Sequence, residues 1–578
     1  MAFSLWWFRE NVVPLWPICI YNLILCNMKK TVLLLLWALV GLVTTAYAQE
    51  GISDYQVFHE TDTIWHFGYQ GVNLYSRKMH RIDIAYPSSD KDGNPVTMSG
   101  YVCIPDEVYS GAMPCDGMLV YNHFTNTAAY EAPTRGFAVG IDFVMANPLK
   151  PNYIVVCSDY IGFGLTADRP QVYCIGDANG QASIDCLLAA RKLLDERGIS
   201  QGKYLFNAGI SSGGYDALAT QRVRDMKYQD EIRFDKTIVG GVPFDLETAY
   251  EVYIEGKDDA SWDPTCLLMM LDQINRYANL GFTYEQMFTE ELSPHFKEWF
   301  LSGKYRMAEL LEKTKGKTMS DLVRPEFLSK RSPEYKTFTA AAREYSLANG
   351  WTPDSTASYY VMHLARDKVV PTAAGRKFLE FLHDFDYDGK TCDGFTKSIV
   401  PERTRLQTNF LIPSESHTLV GGIVCVLKLA ATLTAYPVLY YDGELNTHYA
   451  DFIEPATLMG IIKLLESKGY DVRGMVKKLT EGSGEGGTDF FSMLSSITQT
   501  LEEYGTSLEE VMLIASDSGV EISDILEVYQ YLTADPDPAE AKTRRVATES
   551  DALATEPMMI DYYQQYLTNW LNEETKDK

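Results

Sequence analysis

The sequence is poor in basic residues and has no closely spaced pair of cysteines. It has 578 residues, with 51 Lys+Arg against 78 Asp+Glu, which gives a formal net charge of −27. Phosphate binding needs clustered Lys and Arg, so this balance argues against nucleic acid as a partner. None of the ten cysteines belongs to a C-x-x-C pair, and we therefore expect no zinc site. Charged residues make up 22% and apolar residues 46%, which is typical of a globular protein.

The N-terminal segment has the pattern of an export leader. Two lysines follow Met28, a short apolar run comes next, and A-Y-A ends at Ala48. A basic start, an apolar stretch and small residues at −3 and −1 are typical of a signal peptide. We expect residues 1–48 to be a leader in which 28–48 is the signal peptide, with translation starting at Met28; a start at Met1 and a retained membrane anchor are the alternatives. The sequence therefore predicts an exported protein, periplasmic or secreted, without a stable anchor.

Export also bears on the state of the cysteines. An oxidising compartment permits disulfides, but their pairing cannot be deduced from sequence. Cys103, Cys157 and Cys425 lie within apolar runs, where a buried free thiol is the expected state.

Short apolar runs alternate with helical patterns along the first 440 residues. Residues 80–105 contain two β-rich runs separated by the turn-forming residues 90–95, which predicts a hairpin. Apolar residues recur at helical spacing in 181–197 and 212–224. The further strand candidates share short apolar runs and are 118–122, 153–158, 204–208, 236–242, 359–364 and 409–412. Strands that alternate with helices predict an α/β fold with a mostly parallel sheet.

A long helical stretch interrupts this alternation. More than 100 residues separate the strand candidates 236–242 and 359–364, whereas a crossover needs only about a dozen. We interpret residues 246–350 as a helical cap over the loop edge of the sheet, called the cap insertion below; the alternative is a subdomain with its own core. The α/β core would then comprise 49–245 and 351–440.

The chain changes character after about residue 445. Three segments repeat a glycine followed by an acidic or serine residue and an apolar run, as at Gly469, Gly505 and Gly519, which is typical of one helix ending and the next beginning. Residues 445–578 are therefore predicted to be an acidic helical appendage, and the sequence indicates no protein partner for it.

A candidate nucleophile lies between a predicted strand and a predicted helix. The sequence Gly209-Ile210-Ser211-Ser212-Gly213 matches G-x-S-x-G. A serine on a tight strand-to-helix turn needs nearly side-chain-free neighbours two positions before and after it, and Gly209 and Gly213 supply them. The amides at the start of the helix would face developing negative charge. Ser211 is therefore the predicted nucleophile; the alternative is a glycine-rich turn with an inert serine.

A serine hydroxyl needs a general base, which must itself be oriented by an acid. In this arrangement the chain order is serine, acid, histidine. His417 follows the last predicted strand directly, a position that returns its side chain to the sheet edge beside Ser211. We therefore predict His417 as the base in preference to His363, which ends a predicted strand, and His448, which lies in a polar stretch.

Two aspartates are candidates for the orienting acid. Asp367 follows the predicted strand 359–364 and is the predicted acid, because the loop after that strand is expected to carry the carboxylate. Asp245 follows the preceding predicted strand and is the alternative acid; its other expected role is to brace its loop.

Acyl transfer also needs two hydrogen-bond donors for an oxyanion. The backbone N–H of Ser212, directly after the nucleophile, is the first predicted donor. The second should come from the loop after strand 118–122, where we predict the N–H of Phe124, with Thr125 next. His123 is expected to brace this loop and not to carry protons.

With these residues the chain resembles the α/β-hydrolase superfamily, and within it the secretory-lipase-like serine esterases, over about residues 80–430. The other motifs that carry the resemblance are Asp92-Gly93 with PVTMSGYVCIP, Asp159-Tyr160 with Gly162 and Gly164, and Arg366-Asp367 with Val370-Pro371. The resemblance implies an α/β-hydrolase-type sheet and a Ser-His-Asp hydrolase that cleaves a small-molecule carboxylic ester without a cofactor. Many relatives have a glycine where this chain has Phe124, so we expect a narrower pocket near the carbonyl.

Two alternative functions stay open. The aromatic-rich cap insertion favours an ester with sizeable apolar parts, but Glu290-Glu291 could instead bind a substrate amine, as in a serine peptidase. A non-catalytic binding protein that acts through residues 445–578 is the third possibility.

No metal is expected: Asp384–Gly389 matches the first half of a calcium loop, but its twelfth position is Phe395 and not Glu, which favours an acidic surface turn.

Overall fold

The computed structural model describes residues 52–69, 72–136, 141–146, 151–387, 389–391, 405–412, 414–415, 417 and 421–439. The predicted leader (1–48), the predicted C-terminal appendage (445–578) and His448 lie outside the described residues. None of the helices in the described ranges combines the length and the apolar character that a membrane crossing requires.

One mixed sheet organises the described part of the chain. Its ten strands are β1 (Gln56–Tyr69), β2 (Val72–Ser89), β3 (Pro95–Pro105), β4 (Gly117–Asn122), β5 (Tyr153–Ser158), β6 (Tyr204–Ile210), β7 (Lys236–Gly240), β8 (Tyr359–Met362), β9 (Gly389–Thr391) and β10 (Leu406–Asn409). They are ordered β1-β2-β3-β5-β4-β6-β7-β8-β10-β9. The pairs from β1 to β5 are antiparallel, and every pair from β5 to β9 is parallel. A mostly parallel sheet is therefore confirmed.

Helices fill the connections between these strands. The α-helices of the described residues are α1 (Asp106–Tyr109), α2 (Ile141–Met145), α3 (Gly176–Glu196), α4 (Ser212–Lys227), α5 (Leu246–Glu255), α6 (Thr265–Tyr277), α7 (Tyr284–Met287), α8 (Met307–Thr314), α9 (Met319–Leu322), α10 (Pro333–Tyr345), α11 (Thr372–His383) and α12 (Gly422–Leu439). The helices α5 to α10 all belong to the cap insertion.

The central strands are covered on both faces. Successive residues of β5 point to opposite faces: Val156 packs in a cluster with Leu187 of α3, whereas Val155 packs in a cluster with Leu429 of α12. All six residues of β5 are buried. Burial on both faces explains why the central strands are continuous apolar runs without polar alternation.

The cap insertion shares its core with the sheet. A single buried cluster contains Leu267 and Phe288 of the insertion together with Leu218 of α4 and Tyr359 of β8. All four side chains are fully buried. These side chains of the insertion and the sheet therefore share one buried cluster, while the division of the chain into a core and a cap insertion stays a prediction.

The structure corrects the predicted strands at both edges of the sheet. The predicted hairpin is β2–β3, but β2 begins at Val72, and β1, which was not predicted, pairs with it. The predicted last strand 409–412 is shifted, because the strand is Leu406–Asn409. Its polar residues are buried, and Gln407 accepts a hydrogen bond of 2.8 Å from Lys428 of α12. Because these buried residues are polar, the strand lacks the apolar run by which the other strands were predicted.

Candidate active site

Ser211 lies on a strained turn between β6 and α4. Its φ and ψ are 59° and −127°, a conformation that residues with a side chain rarely adopt. Its amide donates a hydrogen bond of 2.7 Å to the carbonyl of Gly240, at the end of β7. The side chain of Ser211 is half-buried. The turn therefore presents the serine at the carboxyl edge of the parallel strands.

Close backbone packing requires the glycines on either side of this turn. A Cβ on Gly209 would lie 2.0 Å from the carbonyl oxygen of Gly213, and a Cβ on Gly213 would lie 2.3 Å from the carbonyl oxygen of Asn122. Both distances are far below van der Waals contact. The two small residues of the motif are thus needed so that the turn can close and pack against the end of β4.

His417 and Asp367 form a buried hydrogen-bonded pair. His417 Nδ1 lies 2.6 Å from Asp367 Oδ2, and both side chains are almost completely buried. Because an ionised carboxylate only accepts hydrogen bonds, Nδ1 carries the proton and Nε2 of the neutral ring keeps its lone pair. Burial lowers the pKa of His417, but the charge and hydrogen bond of Asp367, with the charge of Asp263, outweigh burial and raise it.

The loop after β8 holds Asp367 in place. Its Oδ1 accepts hydrogen bonds of 2.9 Å from the amides of Val369 and Val370. Burial alone would raise the pKa of Asp367, but the charge and hydrogen bond of His417, with the charge of His363, hold it below the usual value. The carboxylate is therefore ionised and fixed by contacts at both oxygens.

His363 lies near the same oxygen of this carboxylate. Its Nε2 lies 3.0 Å from the carbonyl of Val370 and 3.6 Å from Asp367 Oδ2. A carbonyl only accepts hydrogen bonds, so Nε2 carries a proton and cannot act as a base. Burial lowers the pKa of His363. The sequence analysis preferred His417 to His363 as the base; the structure buries His363 fully and adds its contact with Asp367.

Ser211 and His417 each contact the end of β7 or the residue that follows it. A Cβ on Gly241 would lie 2.6 Å from Cε1 of His417, and Gly241 directly follows the residue that accepts the Ser211 amide. His417 Nε2 is buried and has no hydrogen-bond partner among the described residues. The side chains of Ser211 and His417 are therefore not hydrogen-bonded here, although catalytic hydrogen bonds are often long in the absence of a substrate.

The predicted oxyanion loop contacts the serine turn. Thr125 Oγ1 lies 2.9 Å from Ser212 Oγ, which joins the loop after β4 to the first residue of α4. An amide at the first position of a helix has no partner within the helix, so the N–H of Ser212 is available to a ligand. The half-buried Phe124 directly precedes Thr125. Both predicted donors therefore belong to segments that this hydrogen bond ties together.

His123 braces the loop, as its position suggested. Its Nδ1 lies 2.9 Å from the carbonyl of Phe124, and its ring packs against Tyr160 with 4.4 Å between ring centroids. Burial lowers the pKa of His123, so the ring is neutral. A neutral ring whose proton is donated to Phe124 serves to fix the loop.

Asp159 gives the motif Asp159-Tyr160-x-Gly-x-Gly a structural role. The buried carboxylate accepts hydrogen bonds from Ser99 Oγ at 2.6 Å and from the Thr134 amide at 2.9 Å. A Cβ on Gly164 would lie 2.0 Å from Asp159 Oδ2. The motif therefore fixes the loop after β5 against β3 and against the segment that follows the oxyanion loop.

The structure gives Asp245 and the Glu290-Glu291 pair roles away from catalysis. Asp245 is the N-cap of α5 and accepts a hydrogen bond of 2.7 Å from the Thr248 amide, so its carboxylate braces a helix and Asp367 is the acid that contacts His417. Glu290 and Glu291 are exposed, and Glu291 forms an ion pair of 2.8 Å with Lys317. These two carboxylates therefore lie on a solvated surface.

The aromatic residues of the cap insertion mainly build its core. Phe288 and Phe296 are fully buried and stack with 4.4 Å between centroids; Phe296 also stacks on Phe300 at 4.9 Å. Because these rings contact one another, the aromatic composition of the insertion does not support the expected large apolar substrate.

The described residues hold no cluster of side chains suited to a metal ion. Asp388, Asp393 and Phe395 of the calcium-like motif lie outside them, and Asp384 is the C-cap residue of α11. The cysteines that the structure describes are free, and Cys103, Cys157 and Cys425 are buried, as expected from their apolar runs.

Sequence reasoning missed two residues of the cap insertion that bind the loop after Asp367. The amide of Asp263 donates to the carbonyl of Lys368 at 3.2 Å, and the hydroxyl of Tyr253 donates to the carbonyl of Val369 at 2.6 Å. Tyr253 was recognised only as one of many aromatic residues, and nothing in the sequence around Asp263 indicates this contact.

The strand order, the strained serine turn and the buried His417–Asp367 pair at the carboxyl edge define an α/β-hydrolase fold. No family model matches the sequence, and no curated protein sequence matches it significantly. Solved structures do match. A candidate hydrolase from Legionella pneumophila is 17% identical, with a TM-score of 0.52 over 67% of this chain and 98% of that chain. A ligand-bound form of the rice cell wall degrading esterase LipA from Xanthomonas oryzae is 16% identical, with a TM-score of 0.52 over 66% of this chain and 97% of that chain.

Proposed function

We propose that this protein is a serine hydrolase that cleaves carboxylic esters through Ser211, His417 and Asp367. The observation that carries the proposal is the buried pair of His417 and Asp367, 2.6 Å apart, whose unpartnered Nε2 lies at the strand end that holds the Ser211 turn. A buried nitrogen without a partner is costly and is the group that a serine hydroxyl would satisfy. The likeness to an esterase in fold agrees with this choice.

In the proposed reaction, Ser211 Oγ attacks the ester carbonyl while His417 Nε2 takes its proton. Asp367 fixes the ring and stabilises the imidazolium that forms. The amides of Ser212 and Phe124 hold the oxyanion. His417 then protonates the departing alcohol, and water, activated by the same ring, hydrolyses the acyl-enzyme to release the acid and restore the serine. No step needs a cofactor.

Turnover of graded substrates tests this proposal. The purified protein and its Ser211→Ala variant are incubated with p-nitrophenyl esters of increasing chain length and with aminoacyl anilides. We expect ester turnover that disappears in the variant. Turnover of anilides alone would indicate a peptidase, and capture of a partner by both proteins without any turnover would indicate a binding protein.

We also propose that the enzyme acts outside the cytoplasm, because residues 28–48 have the pattern of a signal peptide. N-terminal sequencing of the protein expressed in a bacterial host tests this. A chain that begins at Gln49 supports export, and a chain that retains residues 28–48 contradicts cleavage.

A further inference from the structure

Asn122 lies between the predicted oxyanion loop and the serine turn. It is the last residue of β4, directly before His123 and Phe124, and it is fully buried. In the sheet it pairs with Gly209 of β6, and a Cβ on Gly213 would lie only 2.3 Å from its carbonyl oxygen. The backbone of Asn122 therefore adjoins both segments that carry the predicted oxyanion donors.

The side-chain amide of Asn122 uses its full capacity for hydrogen bonds, two accepted and two donated. Its Oδ1 accepts bonds of 3.0 Å from the Tyr160 hydroxyl and 2.9 Å from the Ser183 hydroxyl. Its Nδ2 donates bonds of 2.8 Å to Asn207 Oδ1 and 3.2 Å to the carbonyl of Ala208. One side chain thus joins the end of β4 to the loop after β5, to α3 and to β6.

The contact with Tyr160 leads on to the oxyanion loop. Tyr160 has a φ of 65°, a conformation that is uncommon for a residue with a side chain, and its hydroxyl is held by Asn122. Its ring packs against His123 with 4.4 Å between ring centroids, and His123 Nδ1 lies 2.9 Å from the carbonyl of Phe124. The Asn122 amide therefore supports the ring that in turn fixes Phe124.

The contact with Asn207 leads on to the helix that begins at the serine turn. Asn207 is fully buried in β6, and its own Nδ2 donates a hydrogen bond of 2.8 Å to the carbonyl of Ala217 in α4. Thr220 Oγ1, one turn further along α4, lies 3.2 Å from Asn122 Oδ1. The same amide is therefore connected with the oxyanion loop on one side and with α4 on the other.

We propose that Asn122 is a positioning residue for the proposed ester hydrolysis, whose side-chain amide sets the oxyanion loop relative to the serine turn. The N–H groups of Phe124 and Ser212 are then held for one and the same oxygen. The inference rests on the proposed function and deepens it, because it assigns the residue that orders the oxyanion site. A buried polar network with every member satisfied is rigid, and donors fixed in advance stabilise an oxyanion without reorganisation.

A ketone inhibitor tests this inference, together with ester kinetics. Ser211 Oγ adds reversibly to the carbonyl carbon of phenyl trifluoromethyl ketone, its proton passes to His417, and the carbonyl oxygen becomes an oxyanion. In Asn122→Ala we expect kcat and kcat/KM for a p-nitrophenyl ester to fall equally, by about 10²-fold, with KM unchanged. The inhibition constant of the ketone should rise by about the same factor. This constant does not depend on how much of the protein is folded, so a merely structural loss would not change it.

Asn152→Ala is the matched control. Asn152 is also buried, and its Oδ1 accepts a hydrogen bond of 2.7 Å from Arg77, but it directly precedes β5 and so lies at the opposite edge of the parallel strands. Its loss should leave kcat and the inhibition constant unchanged. An unchanged constant in Asn122→Ala, or an equal rise in Asn152→Ala, overturns the proposal.

Should Asn122→Ala not fold, a pair of milder variants decides by the same criterion. Tyr160→Phe removes one donor to Asn122 and keeps the ring, and it should raise the inhibition constant about fivefold, the effect of one lost hydrogen bond. Tyr250→Phe removes the hydroxyl that donates to the Phe327 carbonyl within the cap insertion and should not change the constant. No rise in Tyr160→Phe, or an equal rise in Tyr250→Phe, overturns the proposal.

The parent protein separates the two ways of failing. A parent that neither hydrolyses the ester nor binds the ketone overturns the proposed function and this inference with it. A parent that does both, with an unchanged inhibition constant in the variants, overturns the role of Asn122 alone.

Discussion

The amide of Ser211 donates a hydrogen bond of 2.7 Å to the carbonyl of Gly240, and the residue after Gly240 lies against the ring of His417. The end of β7 therefore supports both the turn that presents the serine and the imidazole that would deprotonate it. Their relative position is set by backbone contacts before any substrate is present, which is the kind of preorganisation that positioned catalysis requires.

A fluorophosphonate should label Ser211 and not Ser212. Ser211 has the strained conformation and the half-buried side chain of the turn, whereas Ser212 Oγ is paired with Thr125. Peptide mass spectrometry locates the label. Ser211→Ala should lose ester turnover by about 10⁶-fold, whereas Ser212→Ala keeps its backbone N–H and should stay within about tenfold of the parent, the effect of one lost hydrogen bond. A label on Ser212 would contradict the assignment.

We expect Asp367 to have a catalytic role and Asp245 to have a structural role. Asp367→Asn removes the acceptor that holds the His417 tautomer and should lower kcat by about 10⁴-fold. Asp245→Ala removes the N-cap of α5 and should lower the free energy of unfolding by about 1 kcal/mol with little change in kcat. Steady-state kinetics and thermal unfolding of the two variants check this. Loss of turnover in Asp245→Ala with retention in Asp367→Asn would reverse the assignment.

The pH profile should report the environment of His417. The base must be neutral to accept a proton, and Asp367 and Asp263 raise its pKa against the opposing effect of burial. Activity should therefore rise with pH, and the acidic limb of kcat/KM should have its midpoint above the usual value of about 6.5 for histidine. Initial rates measured from about pH 5 to 9 give this midpoint. A midpoint below the usual value would show that burial dominates.

Gly241→Ala should impair catalysis through the His417 ring. The new Cβ would lie 2.6 Å from Cε1, so the ring must move, and a displacement of about 1 Å can cost about 10²-fold in rate. Gly198→Ala is the matched control: both glycines have positive φ, 60° and 66°, but Gly198 has open space around its Cβ position. Both variants should lose a similar free energy of unfolding from backbone strain, about 1–2 kcal/mol, and only Gly241→Ala should lose kcat. Equal kinetics would show that the ring tolerates the methyl group.

The sequence predicted best the elements whose signal is local. The strand Tyr153–Ser158 was predicted to the residue, because burial on both faces makes it wholly apolar. The turn at Ser211 was predicted because two glycines are sterically required beside it. By contrast, β9 has only three residues, and β1 is mostly exposed over the residues whose burial is described, so neither has a distinct apolar pattern.

Local sequence patterns could not predict the long-range contacts in the site. The hydrogen bond from the Asp263 amide to the Lys368 carbonyl joins residues that are far apart along the chain, and only the folded insertion brings them together. Asp245 and Asp367 looked alike in sequence, since each follows a strand; what separates them is that one begins a helix and the other is bound by the amides of Val369 and Val370.

The core that joins Leu267 and Phe288 of the insertion to Leu218 and Tyr359 has a consequence for protein engineering. An insertion that packed only on itself could be exchanged between homologous enzymes as a module. Here, a chimaera that received a foreign segment in place of residues 246–350 would expose apolar side chains of α4 and β8 to water. Altering selectivity by transplanting this region would therefore require matched changes in the sheet and its helices.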